Sequence, residues 1–261
     1  MKQLLWLAGF LVLLAAGFYL YNSYTRMDNQ VEIATSTPQA ATVQVTPITH
    51  ATFVLRWDGI TIYNDPTGGA EAFEGQPTAD IVLVTDIHSD HLSTSTLVAV
   101  VGDNTTLVVP QAVKDLLPAN LADKAKVLKN GETLADREFK ILALPMYNLP
   151  ESEDSRHTKG RGNGYVIGKG DYHVYIAGDT AGIPEMRALT GIDMAFIPMN
   201  QPFTMGVEEA ADAVLAFRPT KVYPYHYRGQ DGLADINKFR ELVNGGDPNI
   251  EVVLANWYPG Q

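Results

Sequence analysis

The chain contains no cysteine. Disulfides, thiolate metal sites, cysteine nucleophiles and a lipidated N-terminal cysteine are all excluded, so any transition metal must rest on His, Asp and Glu. Positive charge is also scarce: 19 Lys and Arg stand against 30 Asp and Glu, a formal net charge of −11. That balance repels phosphate backbones and argues against nucleic acid as a partner. It leaves an anionic small substrate open, because a bound metal inverts the local field. No Gly-x-Ser-x-Gly elbow occurs, and no segment repeats.

What is present begins with an uncharged apolar run, Leu4 to Leu20, behind Lys2. Continuing through Tyr21, it approaches the ~20 residues that span a bilayer and exceeds the ~7–15-residue core of a cleavable signal. Residues 1–21 are expected to form a hydrophobic helix that serves as a signal anchor, or a signal peptide if the chain is cut near Ala15-Ala16-Gly17. Either way the expectation is an exported protein. It is anchored in the inner membrane with its bulk in the periplasm or outside the cell, or secreted after cleavage. Residues 22–44 shift to Thr, Ser, Gln, Ala and Pro, the composition of a flexible linker. A folded domain is expected over 45–261, and a chain of 261 residues, 46% hydrophobic, suits one sizeable domain with a short appendage.

Within that domain, Thr52 to Leu55 and Gly59 to Tyr63 read as a hairpin about Trp57-Asp58-Gly59. Further strands are expected at 81–84, 106–110, 139–144, 164–167, 173–177, 195–198, 221–224 and 251–254. Helices are expected at 111–117, 118–125, 207–217 and 233–243. Two β-rich halves, each with helices, predict a layered α/β protein.

The most telling stretch is Thr85-Asp86-Ile87-His88-Ser89-Asp90-His91-Leu92, directly after the apolar run Ile81 to Val84. In an extended loop, residues i and i+2 point the same way, so Asp86 and His88 can close on one ion. Asp90 and His91 follow where the chain turns, and face a second point nearby. Imidazole mixed with carboxylate suits Zn, Mn or Fe rather than Ca or Mg. The structural alternative is a polar loop with a helix N-cap at Asp90 or Ser93. Five of the six histidines sit at strand ends or in Gly-rich loops, among them His157 and His226, whereas His173 sits mid-strand and reads as structural. Gly178-Asp179-Thr180 also follows a strand. Such residues at the C-terminal ends of strands are where α/β proteins collect their ligands.

The order His50-Ala51-Thr52, Asn64-Asp65-Pro66, Thr85-x-x-His88-x-Asp90-His91, a His in a Gly-rich loop, Gly178-Asp179-Thr180 and a late His226 resembles the metallo-β-lactamase-fold hydrolases. Ile197 to Met205 and Tyr223-Pro-Tyr-His-Tyr-Arg-Gly229 resemble the ascorbate-6-phosphate lactonase-like branch of metal-dependent hydrolases. The resemblance implies an αββα sandwich with two divalent ions along one edge, Zn2+ first and Mn2+ as the alternative. It places Asp86, His88 and His157 on the first ion, Asp90, His91 and His226 on the second, and Asp179 between them. Asn148 is the other residue of the irregular loop able to take the place of His157. The family's commonest motif has His where this chain has Asp86, a departure that makes the first site harder and antibiotic-lactamase activity doubtful.

By the same resemblance a water of lowered pKa attacks a carbonyl carbon or phosphorus, and Asp90 orients the nucleophile and moves its proton. His50, Asn163, Asn200 and Arg228, with Tyr147, are expected to contact substrate or support the ligands. The function implied is hydrolysis of an ester, lactone, amide or phosphodiester in a small or lipid-derived envelope substrate. The alternative is a metal-loaded binding or sensing domain without turnover. A nuclease of this fold would need a clamping domain for which the segment between Asp179 and His226 leaves no room.

Overall fold

The computed structural model describes residues 42–259. The expected N-terminal helix at 1–21 and nearly all of the 22–44 linker lie outside the described residues. Strand β1 (Val43–Thr49) begins inside the span expected to be linker and pairs antiparallel with β2 (Thr52–Trp57). The hairpin from β2 to β3 (Ile60–Asn64) turns at Asp58 and Gly59, with φ of 49° and 84°. Two successive positive values are what a type I′ turn requires, and an Asp-Gly pair adopts them at low cost. Strands β4 (Ile81–Leu83), β5 (Thr106–Val109) and β6 (Lys126–Val127) extend the sheet in parallel, giving the order β1-β2-β3-β4-β5-β6.

A second sheet comprises β7 (Thr133–Asp136), β8 (Phe139–Met146), β9 (Gly162–Lys169), β10 (Tyr172–Ile176), β11 (Met194–Pro198) and β12 (Lys221–Tyr225). A short hairpin of β13 (Arg228–Gly229) and β14 (Gly232–Leu233) precedes β15 (Glu251–Val252), which closes the order β15-β12-β11-β10-β9-β8-β7. Strands β7 to β10 are antiparallel; β10, β11, β12 and β15 run parallel.

Six α-helices and one 3₁₀ turn (Glu71–Phe73) complete the described residues: α1 (Thr94–Val100), α2 (Gln111–Lys114), α3 (Ala119–Ala122), α4 (Pro184–Arg187), α5 (Val207–Phe217) and α6 (Ile236–Gly246). The helices expected at 111–117 and 118–125 are single turns. Beyond Lys114 the backbone tightens to i→i+3 bonds, Leu116 to Val113 and Leu117 to Lys114, as Pro118 approaches. Helix α6 starts later than expected, at the Asp235 cap, because Gly232 and Leu233 are taken by β14.

Side-chain alternation sorts the layers. Phe53, Leu55, Trp57, Ile62, Ile81 and Leu83 point from the first sheet into one buried cluster with Phe139, Ile141, Tyr165, Ile176 and Phe196 of the second. Val54, Tyr63, Val82, Leu107 and Val109 point the other way, beneath Leu97 of α1, Val113 of α2 and Leu121 of α3. Ala210, Val214 and Phe217 of α5 and Phe239 of α6 cover the outer face of the second sheet. The result is helices, sheet, sheet, helices, the αββα sandwich that the resemblance implied.

Candidate metal centre

The ends of β3, β4, β10 and β12 meet at one edge of the sandwich, and the chemistry of the chain collects there. Three of its residues are held with positive φ although none is glycine: His50 at 44°, Asp65 at 43° and His226 at 45°. Such backbone strain persists only where the surroundings impose it, and it concentrates at functional sites.

After β4 the chain enters the Thr85–Leu92 loop. The carboxylate of Asp65, fully buried at the end of β3, accepts from Thr85 N (2.7 Å) and Thr85 Oγ1 (2.7 Å) and stands 2.9 Å from His91 Nδ1. His91 is thereby fixed with Nε2 pointing the other way, 3.3 Å from Asp179 Oδ2. Ser93, not Asp90, is the N-cap of α1, its side chain accepting from Thr96 N. Asp90 is therefore left outside the helix, with Oδ2 3.2 Å from His226 Nε2.

His157 comes from the long connection between β8 and β9. Its Nδ1 lies 3.1 Å from Phe203 O and 3.2 Å from Asn148 Oδ1, while Asn148 Oδ1 also accepts from His157 N. Asn148 thus supports His157 instead of replacing it. With Nδ1 so engaged, Nε2 is the free face, 3.2 Å from Asp179 Oδ2 and 3.8 Å from Asp86 Oδ2. Fixing one ring nitrogen to present the other is how proteins orient a metal-binding histidine.

Asp179 sits just past β10, behind Gly178. At φ 67° the backbone there favours glycine, and a Cβ would meet Met146 Sδ at 2.7 Å. Burial alone would raise the Asp179 carboxyl, but the imidazoles of His91 and His226 and a hydrogen bond from His157 hold it well below the usual carboxylate range. His91 is the counterpart. Burial would lower it, yet Asp179 and Asp65 raise it well above 6.5. Asp90 is likewise held low against its burial, chiefly by His226 and His91.

Donor atoms converge in three groups: Asp86 with His88 and His157, His91 with Asp179 and His226, and His50 with Asp90 and His226. The structure therefore brings together all seven residues expected to bind metal. The chemistry of the donors fits a cation. Buried His91 Nε2, His157 Nε2, His88 Nδ1 and Asp179 Oδ1 have no hydrogen-bond partner, although His88 Nδ1 approaches Asp86 Oδ2 to 2.7 Å. Close donor atoms without hydrogen-bond geometry are what neighbouring ligands of one ion look like, and leaving such groups bare costs stability.

The residues expected to face substrate divide. His50 packs edge-on against His226, ring centroids 5.5 Å apart, with Nδ1 3.3 Å from Tyr258 Oη. Asn200 Nδ2 lies 3.4 Å from His226 Nε2. Arg228 stacks on the Tyr258 ring at 4.5 Å, and its buried Nη2 has no partner. Asn163 is different: it is buried, its amide donates to Leu128 O, and its Oδ1 accepts from Asn130. It clamps β9 to a neighbouring loop, so its expected contact with substrate is corrected. Tyr147 is buried as well, bonding Glu185 away from the donor cluster.

Two residues carry roles that the sequence did not disclose. Asp65 lay within the noted Asn64-Asp65-Pro66 motif, but its hold on His91 follows only from the parallel pairing of β3 with β4. Arg161 lay in the glycine-rich loop with nothing in its spacing to separate it from Arg156. Its Nε and Nη2 donate to Asp86 Oδ1 and Oδ2 at 3.1 and 2.9 Å.

Comparison with known proteins agrees with this picture. The family model of the beta-lactamase superfamily domain matches residues 44–226. A UPF0173 metal-dependent hydrolase of Pyrococcus horikoshii is 32% identical over 84% of this chain and 98% of its own. One from Thermus thermophilus is 32% identical over 72% of this chain and 88% of its own. A crystal structure from Parabacteroides distasonis, assigned to the metal-dependent hydrolases, is 37% identical with a TM-score of 0.72, covering 82% of this chain and 93% of that one.

These findings overturn the expectation of an exported, membrane-anchored or secreted protein. The relatives are archaeal and Thermus UPF0173 hydrolases. Among the described residues, no helix is long and apolar enough to cross a membrane. Family model, relatives and sandwich fold coincide: the chain belongs to the β-lactamase superfamily and is a metal-dependent hydrolase alongside the UPF0173 proteins.

Proposed function

We propose that the protein is a binuclear hydrolase that cleaves an ester, lactone, amide or phosphodiester bond in a small molecule. The observation that carries this reading is the set of buried, unpartnered donor atoms on His88, His91, His157 and Asp179. Asp86, His88 and His157 would hold one divalent ion, His91, His226 and Asp90 the second, and Asp179 would lie between them. Zn2+ suits the donors best, with Mn2+ as the alternative. When bound, such ions supply Lewis acidity and bring the pKa of a water to about 7.

The remaining work falls to the chain itself. Asp90 is a carboxylate kept ionised beside His226, placed to orient the attacking water and accept its proton. His50 and Asn200 adjoin the same histidine, Arg228 stacks on Tyr258 beside His50, and the three would set the substrate's position. Resemblance to the lactonase-like branch supports the fold and the site, and the substrate class stays at small esters, lactones, amides and phosphodiesters.

The test is hydrolysis of a panel of these substrates after chelation and after return of Zn2+ or Mn2+. Metal-restored turnover of at least one substrate is expected, with Asp90→Asn lowering kcat by roughly 10²–10⁴-fold. Full metal loading without turnover of any substrate would instead indicate a binding or sensing domain.

A further inference from the structure

Among the described residues, Asp86 is the one carboxylate in the cluster gripped by a permanent cation. Arg161, the last residue before β9, reaches across the edge and forks onto both Asp86 oxygens at 3.1 and 2.9 Å. The Asp86 side chain is wholly buried and that of Arg161 is 20% exposed, so solvent screens the pair weakly. Nothing comparable exists on the other side. Among the described residues, Asp90 and Asp179 pair only with histidines, and His91 is backed by the carboxylate of Asp65.

We infer that Arg161 divides the centre into a tight half at His91, Asp179 and His226 and a loose, exchangeable half at Asp86, His88 and His157. The inference rests on the metal-centre reading above. A guanidinium bonded to Asp86 repels a divalent ion on the same carboxylate. It also draws on the oxygen lone pairs that would bind the ion, weakening Asp86 as a donor. On the opposite side Asp65 does the reverse, increasing the basicity of His91. The ion at Asp86, His88 and His157 is therefore gained and lost with metal supply, and the number of ions bound follows the availability of the metal around the protein.

The experiment is a calorimetric titration of the metal-free full chain with Zn2+, paired with elemental analysis after desalting. The wild type is expected to keep one ion through desalting and to take the second at least about tenfold more weakly. Arg161→Gln, shown to be folded by circular dichroism, should tighten the weaker step by about tenfold and leave the tight one unchanged. Arg161→Lys keeps the positive charge and should retain a weak second step. Two equal steps in the wild type, or an Arg161→Gln variant whose weaker step is unchanged or lost, would overturn the inference while leaving the metal centre intact. No Zn2+ binding by the folded wild type would overturn the metal-centre reading itself.

Discussion

His91 takes its role from the residue behind it. Asp65 lies 2.9 Å from Nδ1, fixing the ring and leaving Nε2 bare toward Asp179. Replacing Asp65 by Asn removes the charge and should cost about 10–100-fold in metal affinity with little change in fold, measured by competition with a chelating dye. The proton on His91 makes a second test. In the metal-free protein His91 is raised well above 6.5 by Asp179 and Asp65 against its burial. A raised folded value means that His91 contributes stability in full below about pH 6.5 and loses it as pH rises through the folded value. The melting temperature of the chelated protein should therefore fall from near-neutral into alkaline pH, and this fall should shrink in His91→Gln. A flat or rising profile in the chelated wild type would contradict the assignment. At this scale the sequence was informative wherever ligand types cluster, as in Asp86 to His91. It could not reveal Asp65 as a support or Asn163 as a clamp, because those roles depend on which strands become neighbours.

Elements explain how residues so far apart in the chain meet. Gly178, two residues past β10, has φ 67°, and a Cβ there would lie 2.7 Å from Met146 Sδ and 3.3 Å from Asn163 O. Gly178→Val would force both a disfavoured backbone and a clash beside Asp179. A loss of about 2–4 kcal/mol in chemical denaturation is expected, with reduced metal content. The long strands and α5 were legible because alternation or helical spacing persisted over enough residues, as in Thr52–Trp57 and Val207–Phe217. Most of the failures were short or exposed, although the half-buried β1 was missed as well. The β7 strand has the alternating but half-exposed pattern of Thr133–Asp136, and β13 and β14 are two residues each. Pairing with a neighbour, not their own periodicity, makes these strands. The helices at 111–117 and 118–125 were overextended because proline punctuation ends them sooner than their apolar spacing suggests.

At the scale of the whole molecule, two sheets share one buried interior, and their loops deliver an unusual density of His and Asp to one edge. The layered α/β class could be read from the alternation of strands and helices, and the sandwich from motif resemblance; the strand order required the structure. Export was the expectation that failed, since an apolar N-terminal run says nothing about the company its domain keeps. This edge is proposed to bind two divalent ions. The most direct measurement is an anomalous-scattering map from crystals grown in excess Zn2+. Two peaks are expected, one among Asp86, His88 and His157 and one among His91, His226 and Asp90, with Asp179 between them. A single peak, or one confined to His50, Asp90 and His226, would contradict the proposal.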